Sequence, residues 1–169
     1  MIYLKNNTVG IDTQIQWVQQ HLYDKLVASL NCEVHAYGRV YVDTNKNSTK
    51  PLAYIGNGDY RELLINDKIR GLHFFFVEND ESDIVLRTCM SSNEVDIIFL
   101  VDDLRKVRTD ISHYADEEIK EEVKSYLRGF FDVISVTKGI KALDGFDVSK
   151  LKFIYPYYAF KIKIKINNY

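Results

Sequence analysis

The sequence predicts an α+β domain, an antiparallel sheet (a meander plus a C-terminal strand) with two amphipathic helices packed on one side, and three patterns carry that prediction. Apolar residues recur at helical spacing in residues 10–30 and again in residues 116–128. The intervening and final segments instead alternate with the period of two that strands require. Clusters of Gly, Asn, Asp and Ser punctuate these strand-like segments at hairpin spacing.

The first helix places Ile11, Ile15, Val18, Leu22, Leu26 and Leu30 on one stripe, with glutamines and Asp24 between them. Asp12 and Thr13 suit its first turn, where unpaired backbone N–H groups favour carboxylates and hydroxyls, and Asn31 is its stop. Residues 33–43 then read as one strand, with Val34, Ala36, Gly38, Val40 and Val42 on one side and His35, Tyr37, Arg39 and Tyr41 on the other. Residues 44–50 read as a polar loop. Residues 51–55 and 60–65 flank Gly56-Asn57-Gly58-Asp59 as the arms of a hairpin.

Residues 72–77 form an apolar strand that the acidic cluster of residues 78–81 is expected to end. Residues 84–90 and 95–101 read as two more strands separated by residues 91–94. The second of them is apolar throughout and belongs at the centre of a sheet. The second helix has Ile119, Val123, Tyr126, Leu127 and Phe130 on its stripe. Asp116, Glu117 and Glu118 fill its first turn, Arg128 its last, Gly129 follows as a cap, and Asp116 with Lys120 adds an i,i+4 pair. Residues 131–136 suggest a further strand. In residues 158–166, Phe160, Ile162, Ile164 and Ile166 alternate with Lys161, Lys163 and Lys165, the pattern of a half-buried strand with a lysine face.

A chain of 169 residues fits a single structural domain, residues 1–169, with one core that needs no disulfide or metal. Hydrophobic residues at 46% and charged residues at 27% exclude the signature of intrinsic disorder. Twelve tyrosines and nine phenylalanines exceed ordinary usage and suit half-buried surfaces such as subunit interfaces. The net charge of −2 argues against a protein that holds nucleic acid or an anionic membrane by bulk positive charge. No apolar run is long enough to span a bilayer and the N-terminus lacks a signal-peptide pattern, so folding in the cytoplasm and no membrane partner are expected.

Chemistry-bearing motifs are sparse. Cys32 and Cys89 match no metal spacing and read as reduced core or sheet residues, and His21, His35, His73 and His113 match none either. Gly56-Asn57-Gly58 lacks the Lys-Ser/Thr of a phosphate loop and leads into a strand. The catalytic alternative is a set of carboxylates, Asp96, Asp102 and Asp103 with Glu78, Asp80 and Glu81, near Lys106. Such a set could hold Mg²⁺ for phosphodiester hydrolysis, although acidic residues at strand ends are also what solvated loops require. Glu118-Ile119-Lys120 and Glu122-Val123-Lys124 imitate part of a nuclease motif, but a helical acidic face explains them by solubility. For Lys161, Lys163 and Lys165, solvation and protection of an exposed sheet edge are favoured over phosphate contact, since no arginine or stacking aromatic alternates with them. Tyr155, Tyr157 and Tyr158 around Pro156 suit an interface or the start of a strand. Catalytic, cofactor-binding and metal-binding residues are all expected to be absent.

Four stretches resemble the small neck and tail-completion proteins of tailed bacteriophages, the tail-terminator-like group that includes ring proteins of crAss-like phages. They are Ile2-Tyr3-Leu4-Lys5-Asn6-Asn7 leading into Gly10-Ile11-Asp12, then Ala36-Tyr37-Gly38-Arg39, then Tyr54-Ile55-Gly56-Asn57 with Asp59-Tyr60, and finally Phe160-Lys161-Ile162-Lys163-Ile164. The resemblance implies a tail-terminator-like fold, a non-enzymatic head-tail connector subunit, and a homo-oligomeric ring between portal and tail. It implies as partners copies of the chain itself, portal, adaptor or tail proteins, and non-specific contact with passing DNA. The implied location is the virion neck, assembled in the host cytoplasm. The alternative from the residues is a small carboxylate- and Mg²⁺-dependent phage nuclease.

Overall fold

Helix α1 spans Ile11–Ser29, and its stripe is the buried one: Ile15, Val18, Leu22 and Leu26 are each at most 1% exposed. In the computed structural model the described residues are 1–45, 48–64, 70–85, 90–149, 151 and 157–168, with the backbone alone at 80–85, 90, 91 and 168. Strand β1 (Val34–Arg39) is followed by β2 (Tyr41–Asn45), β3 (Ser48–Gly56) and β4 (Asp59–Glu62). Next come the long strands β5 (Leu72–Val85) and β6 (Met90–Val101), the single-turn helix α2 (Leu104–Val107) and helix α3 (Asp116–Arg128). Strand β7 (Asp132–Lys138), a 3-10 turn over Gly139–Leu143 and strand β8 (Tyr158–Asn168) complete the chain.

Among the described residues the strands form two sheets, one of five strands in the order β1-β5-β6-β8-β7 and one of three in the order β2-β3-β4. The protein is therefore α+β with antiparallel pairing dominant and α1 and α3 on one side of the larger sheet. The apolar strand β6 holds the centre, as its composition requires, with Phe74 opposite Phe99 on one side and Phe160 opposite Phe99 on the other. The Phe99 and Phe160 rings stack 4.6 Å apart, and each such side chain buries apolar area that stabilises by about 2–3 kcal/mol.

The pleat sends alternate residues of these strands into two cores. Ala36, Phe74, Phe76, Ile97, Phe99, Ile162 and Ile164 meet Ile15, Leu22, Ile119, Val123 and Leu127 of the helices. On the reverse face Tyr37, Phe75, Ile98, Leu100 and Ala159 meet Ala53 of β3, Leu63, Leu64 and the turn residues Ala142 and Leu143. The sheet is thus covered on both faces at its middle, so β1 buries both alternating sets, Val34 and Ala36 toward the helices and Tyr37 away from them.

Several expectations are corrected. Residues 33–43 are two strands: the chain leaves the large sheet at Val40, whose N–H donates to the Phe76 carbonyl, and Tyr41 starts the small sheet. The meander is consequently interrupted, and β1 pairs parallel with β5 because the whole β2–β4 excursion intervenes. Residues 44–50 are not a loop, since Thr44 pairs with Thr49 and Asn45 with Ser48, residues 46 and 47 lying outside the described set. The second arm of the next hairpin is shorter than expected, ending at Glu62, and residues 65–69 are outside the described set.

Residues 78–81 do not end β5, which runs on to Val85, and residues 91–94 lie within β6 rather than separating strands. The expected strand over residues 84–90 is divided between the end of β5 and the start of β6, with residues 86–89, and Cys89 among them, outside the described set. Phe130 falls beyond α3 and is 54% exposed. Lys120 pairs with Glu117 and Glu121 rather than Asp116. Gly129 caps α3 in right-handed geometry.

One glycine is demanded by a close approach. Gly71 has φ +88°, and a Cβ there would lie 2.1 Å from the Glu33 carbonyl oxygen, at the point where Leu72 N–H joins β5 to that same carbonyl.

Candidate functional site

The stretches at residues 2–12, 36–39 and 54–60 converge at the β1 side of the molecule. The N-terminal segment runs parallel to β1 through an Ile2–Ala36 bridge, and Tyr3 stacks on Tyr37 at 4.9 Å. Gln19, 1% exposed within the α1 stripe, donates from one amide nitrogen to the carbonyls of Tyr3 and Ala36, which satisfies a polar group placed in the core. Arg39 Nε donates to Asp12 Oδ1 at 2.7 Å and another guanidinium nitrogen donates to Glu78 Oε2 at 2.6 Å. Lys5 completes the cluster 3.3 Å from Asp12, and Asn93 donates to Glu78 at 3.0 Å.

Burial alone would raise the Asp12 carboxyl, but hydrogen bonding from Arg39 and the charges of Lys5 and Arg39 outweigh it and hold the group below its ordinary range. Arg39 therefore fastens α1, β1 and β5 together. Arg39→Ala leaves two half-buried carboxylates without their main partner, and a loss of about 2 kcal/mol is expected. Urea unfolding checks this, and a loss below about 0.5 kcal/mol would mean that the cluster contributes little. Beside it, Tyr60 packs edge-on against Tyr41 at 5.4 Å and Tyr54 at 5.7 Å, with Tyr41 51% and Tyr60 46% exposed.

The candidate carboxylates do not meet. Asp96 projects with Ile98 and Leu100 on the sheet face away from the helices, pairs with Lys161 at 3.1 Å, and lines a cavity of about 180 Å³ between the sheets. Glu78, opposite Val95, turns to the helix side and to Arg39. Asp102 and Asp103 follow the end of β6, about 20 Å along the strand from Asp96. Asp103 accepts from the Arg105 backbone N–H as the cap of α2 and from its guanidinium, which holds it down to about 2. Lys106 extends into solvent 3.6 Å from Asp103. The side chains of Asp80 and Glu81 lie outside the described residues. No group of three or more His, Cys, Asp and Glu among the described residues could hold a metal ion.

The last strand keeps its alternation but not its expected place. β8 lies between β6 and β7, so its lysines guard no edge. Lys161 and Lys163 are neutralised across β6 by Asp96 and Glu94, leaving Lys165 exposed. Tyr157 and Tyr158 are half-buried, while Tyr155 and Pro156 lie outside the described residues. Cys32 is a half-buried free thiol pushed up to about 11 by burial, a packing residue rather than a nucleophile.

Opposite the Arg39 corner, the structure shows a surface that the periodicity does not reveal. Trp17, off the apolar stripe of α1, packs edge-on against Phe130 at 5.4 Å and Phe131 at 6.1 Å. With Arg128, Asp132 and Lys165 these residues line an open groove of about 590 Å³. An exposed tryptophan on an otherwise polar helix flank was the available signal. No family model, curated protein or solved structure matches the chain.

Proposed function

We propose that the chain is a non-enzymatic structural subunit of a phage neck, one copy in a homo-oligomeric ring between portal and tail. The observation that carries this reading is the distribution of exposed aromatics. Tyr41 and Tyr60 flank one side of a sheet that is packed on both faces, and Trp17 and Phe130 flank the other. A rigid body with apolar surface on two opposite sides suits a unit that contacts a neighbour on each. The internal carboxylates support the same reading, since Asp12, Glu78, Asp96 and Asp103 are each engaged by a cation.

Other copies of the chain and portal, adaptor or tail proteins are the proposed partners, in a virion neck assembled in the host cytoplasm. Contact with passing DNA is weakened as a role for the last strand by the pairing of Lys161 and Lys163. Among the described residues, no helix is long and apolar enough to cross a membrane.

Imaging of tailed particles carrying an affinity-tagged copy tests the proposal. Many copies around one axis at the portal-proximal end of the tail are expected, and tag density elsewhere or none in the particle would sink it. The Mg²⁺-dependent nuclease is the competing outcome. Thermal melting is expected to be unchanged between Mg²⁺, Mn²⁺ and EDTA, whereas a rise of several degrees with metal, or DNA cleavage abolished by Asp102→Ala, would reinstate it.

A further inference from the structure

The aromatic groove and the β3–β4 hairpin lie on opposite flanks of the same sheet. The groove is lined from β7 and β8, the last two strands in the order, while the hairpin belongs to the small sheet that packs beside β1, the first. Helix α1 separates them, with Asp12 turned to Arg39 on one flank and Trp17 turned to Phe130 on the other. This is the arrangement a head-to-tail contact requires, since a heterologous interface joins two different patches of one chain.

The two patches are also complementary in charge and chemistry. Arg128 and Lys165 in the groove form no ion pair with a described residue; Asp132 shares the lining, and Glu94, opposite Lys165 on β6, is engaged by Lys163. The hairpin presents the exposed carboxylate of Asp59 next to the exposed ring of Tyr60, also without a cationic partner among the described residues. A tyrosine ring suits the apolar wall of Trp17 and Phe130, and a carboxylate suits the two cations at its rim. β4 and β7 are, in addition, terminal strands of their sheets, so each has one side without a described neighbour.

We infer that the occupant of this groove is a second copy of the chain, whose Asp59-Tyr60 hairpin seats on Trp17 and Phe130 with its carboxylate against Arg128 and Lys165. This rests on the proposed ring and specifies its contact. Because each copy has one hairpin and one groove, association through them continues beyond a dimer until the rotation closes.

Sedimentation equilibrium of the purified chain up to about millimolar concentration, with Arg128→Glu, Asp59→Lys and both combined in one chain, tests the inference. Both positions are exposed, and melting curves check that each variant folds. Wild type is expected to associate beyond a dimer. Each single reversal is expected to raise the dissociation constant roughly tenfold or more, with recovery in the combined variant, where the opposite charges face each other again. Wild type that remains monomeric, a closed dimer, or association indifferent to both reversals would overturn the contact. None of these outcomes touches the ring reading, which stands or falls on tag density at the neck. Recovery in the combined variant with no tag density there would keep the contact and discard the phage neck.

Discussion

Ile119→Asp and Val123→Asp are each expected to leave the chain unfolded at room temperature, whereas Glu121→Ala is expected to melt within a few degrees of wild type. Ile119 and Val123 are both 1% exposed, one turn apart on α3, and belong to the core between that helix and the sheet. An aspartate at either position places a carboxylate inside the apolar cluster that holds Ile162, Ile164 and Leu127. Desolvation of that group, together with the lost apolar contacts, costs several kcal/mol, comparable with the about 5–15 kcal/mol that holds a domain of this size together. Glu121 is half exposed and pairs with Lys124 and Lys120, an interaction contributing about 0.5 kcal/mol at such a surface. Circular dichroism melting separates the cases. A soluble Ile119→Asp chain with a normal cooperative transition would show that this stripe does not hold α3 to the sheet.

Acidification is expected to destabilise the fold well before the carboxylates titrate, with His73 the principal cause. Its ring lies on β5 under the reverse-face core, 7% exposed and 6.2 Å from the ring of His35 on the neighbouring strand β1. Burial pushes the His73 imidazole down to about 3, with the His35 charge adding to it, and burial also lowers His35. Around His35 the Met1 amine and Arg61 oppose a further positive charge, and Glu33 at 3.4 Å favours it.

An unfolded histidine takes its proton near pH 6.5, whereas folded His73 takes one only near pH 3, so between these values the unfolded chain binds more protons. Stability is therefore undiminished above pH 6.5 and falls by about 1.4 kcal/mol per unit below it, reaching about 3 kcal/mol near pH 4.5. Urea unfolding of wild type and His73→Phe at pH 7.5 and pH 5 checks this. The variant should lose most of the difference between the two, and an equal fall in both proteins would assign the acid sensitivity to other groups.

How much of this was legible in the sequence depended on whether the signal was local. Phe160, Ile162, Ile164 and Ile166 marked a strand because the pleat alone puts them on one face, and all four are buried. The run from Ile97 to Val101 marked a central strand because it offers water no polar side, and β6 is central. Gly56, Asn57 and Gly58 marked a turn, and all three have positive φ. Periodicity could not say which sheet a strand joins. Residues 33–43 alternate without a break, yet their pairing changes at Val40, because backbone hydrogen bonds to β5 and β3 leave no trace in side-chain order.

The acidic residues 78–81 misled for a related reason. A strand that projects past the core can carry charges, and Glu78 finds Arg39, whose position in sequence gives no hint of the contact. Lys161 and Lys163 likewise looked like an edge because their partners, Asp96 and Glu94, lie on another strand. Trp17 escaped because a single aromatic off a helical stripe has no periodicity to announce it.

The insertion of β8 between β6 and β7 sets the order in which the protein can be completed. Val101 must wait for Tyr158, and Ser91 for Asn168, so during synthesis β6 keeps one bare edge until the last strand has left the ribosome. Closing loops of that length precedes the contacts that reward it, which makes late assembly of the sheet the slow step. The same strand supplies Lys165, Ile166 and Asn167 to the aromatic groove. An unfinished or unfolded chain therefore has no groove to offer, and the surface proposed to receive a second copy arrives only with β8.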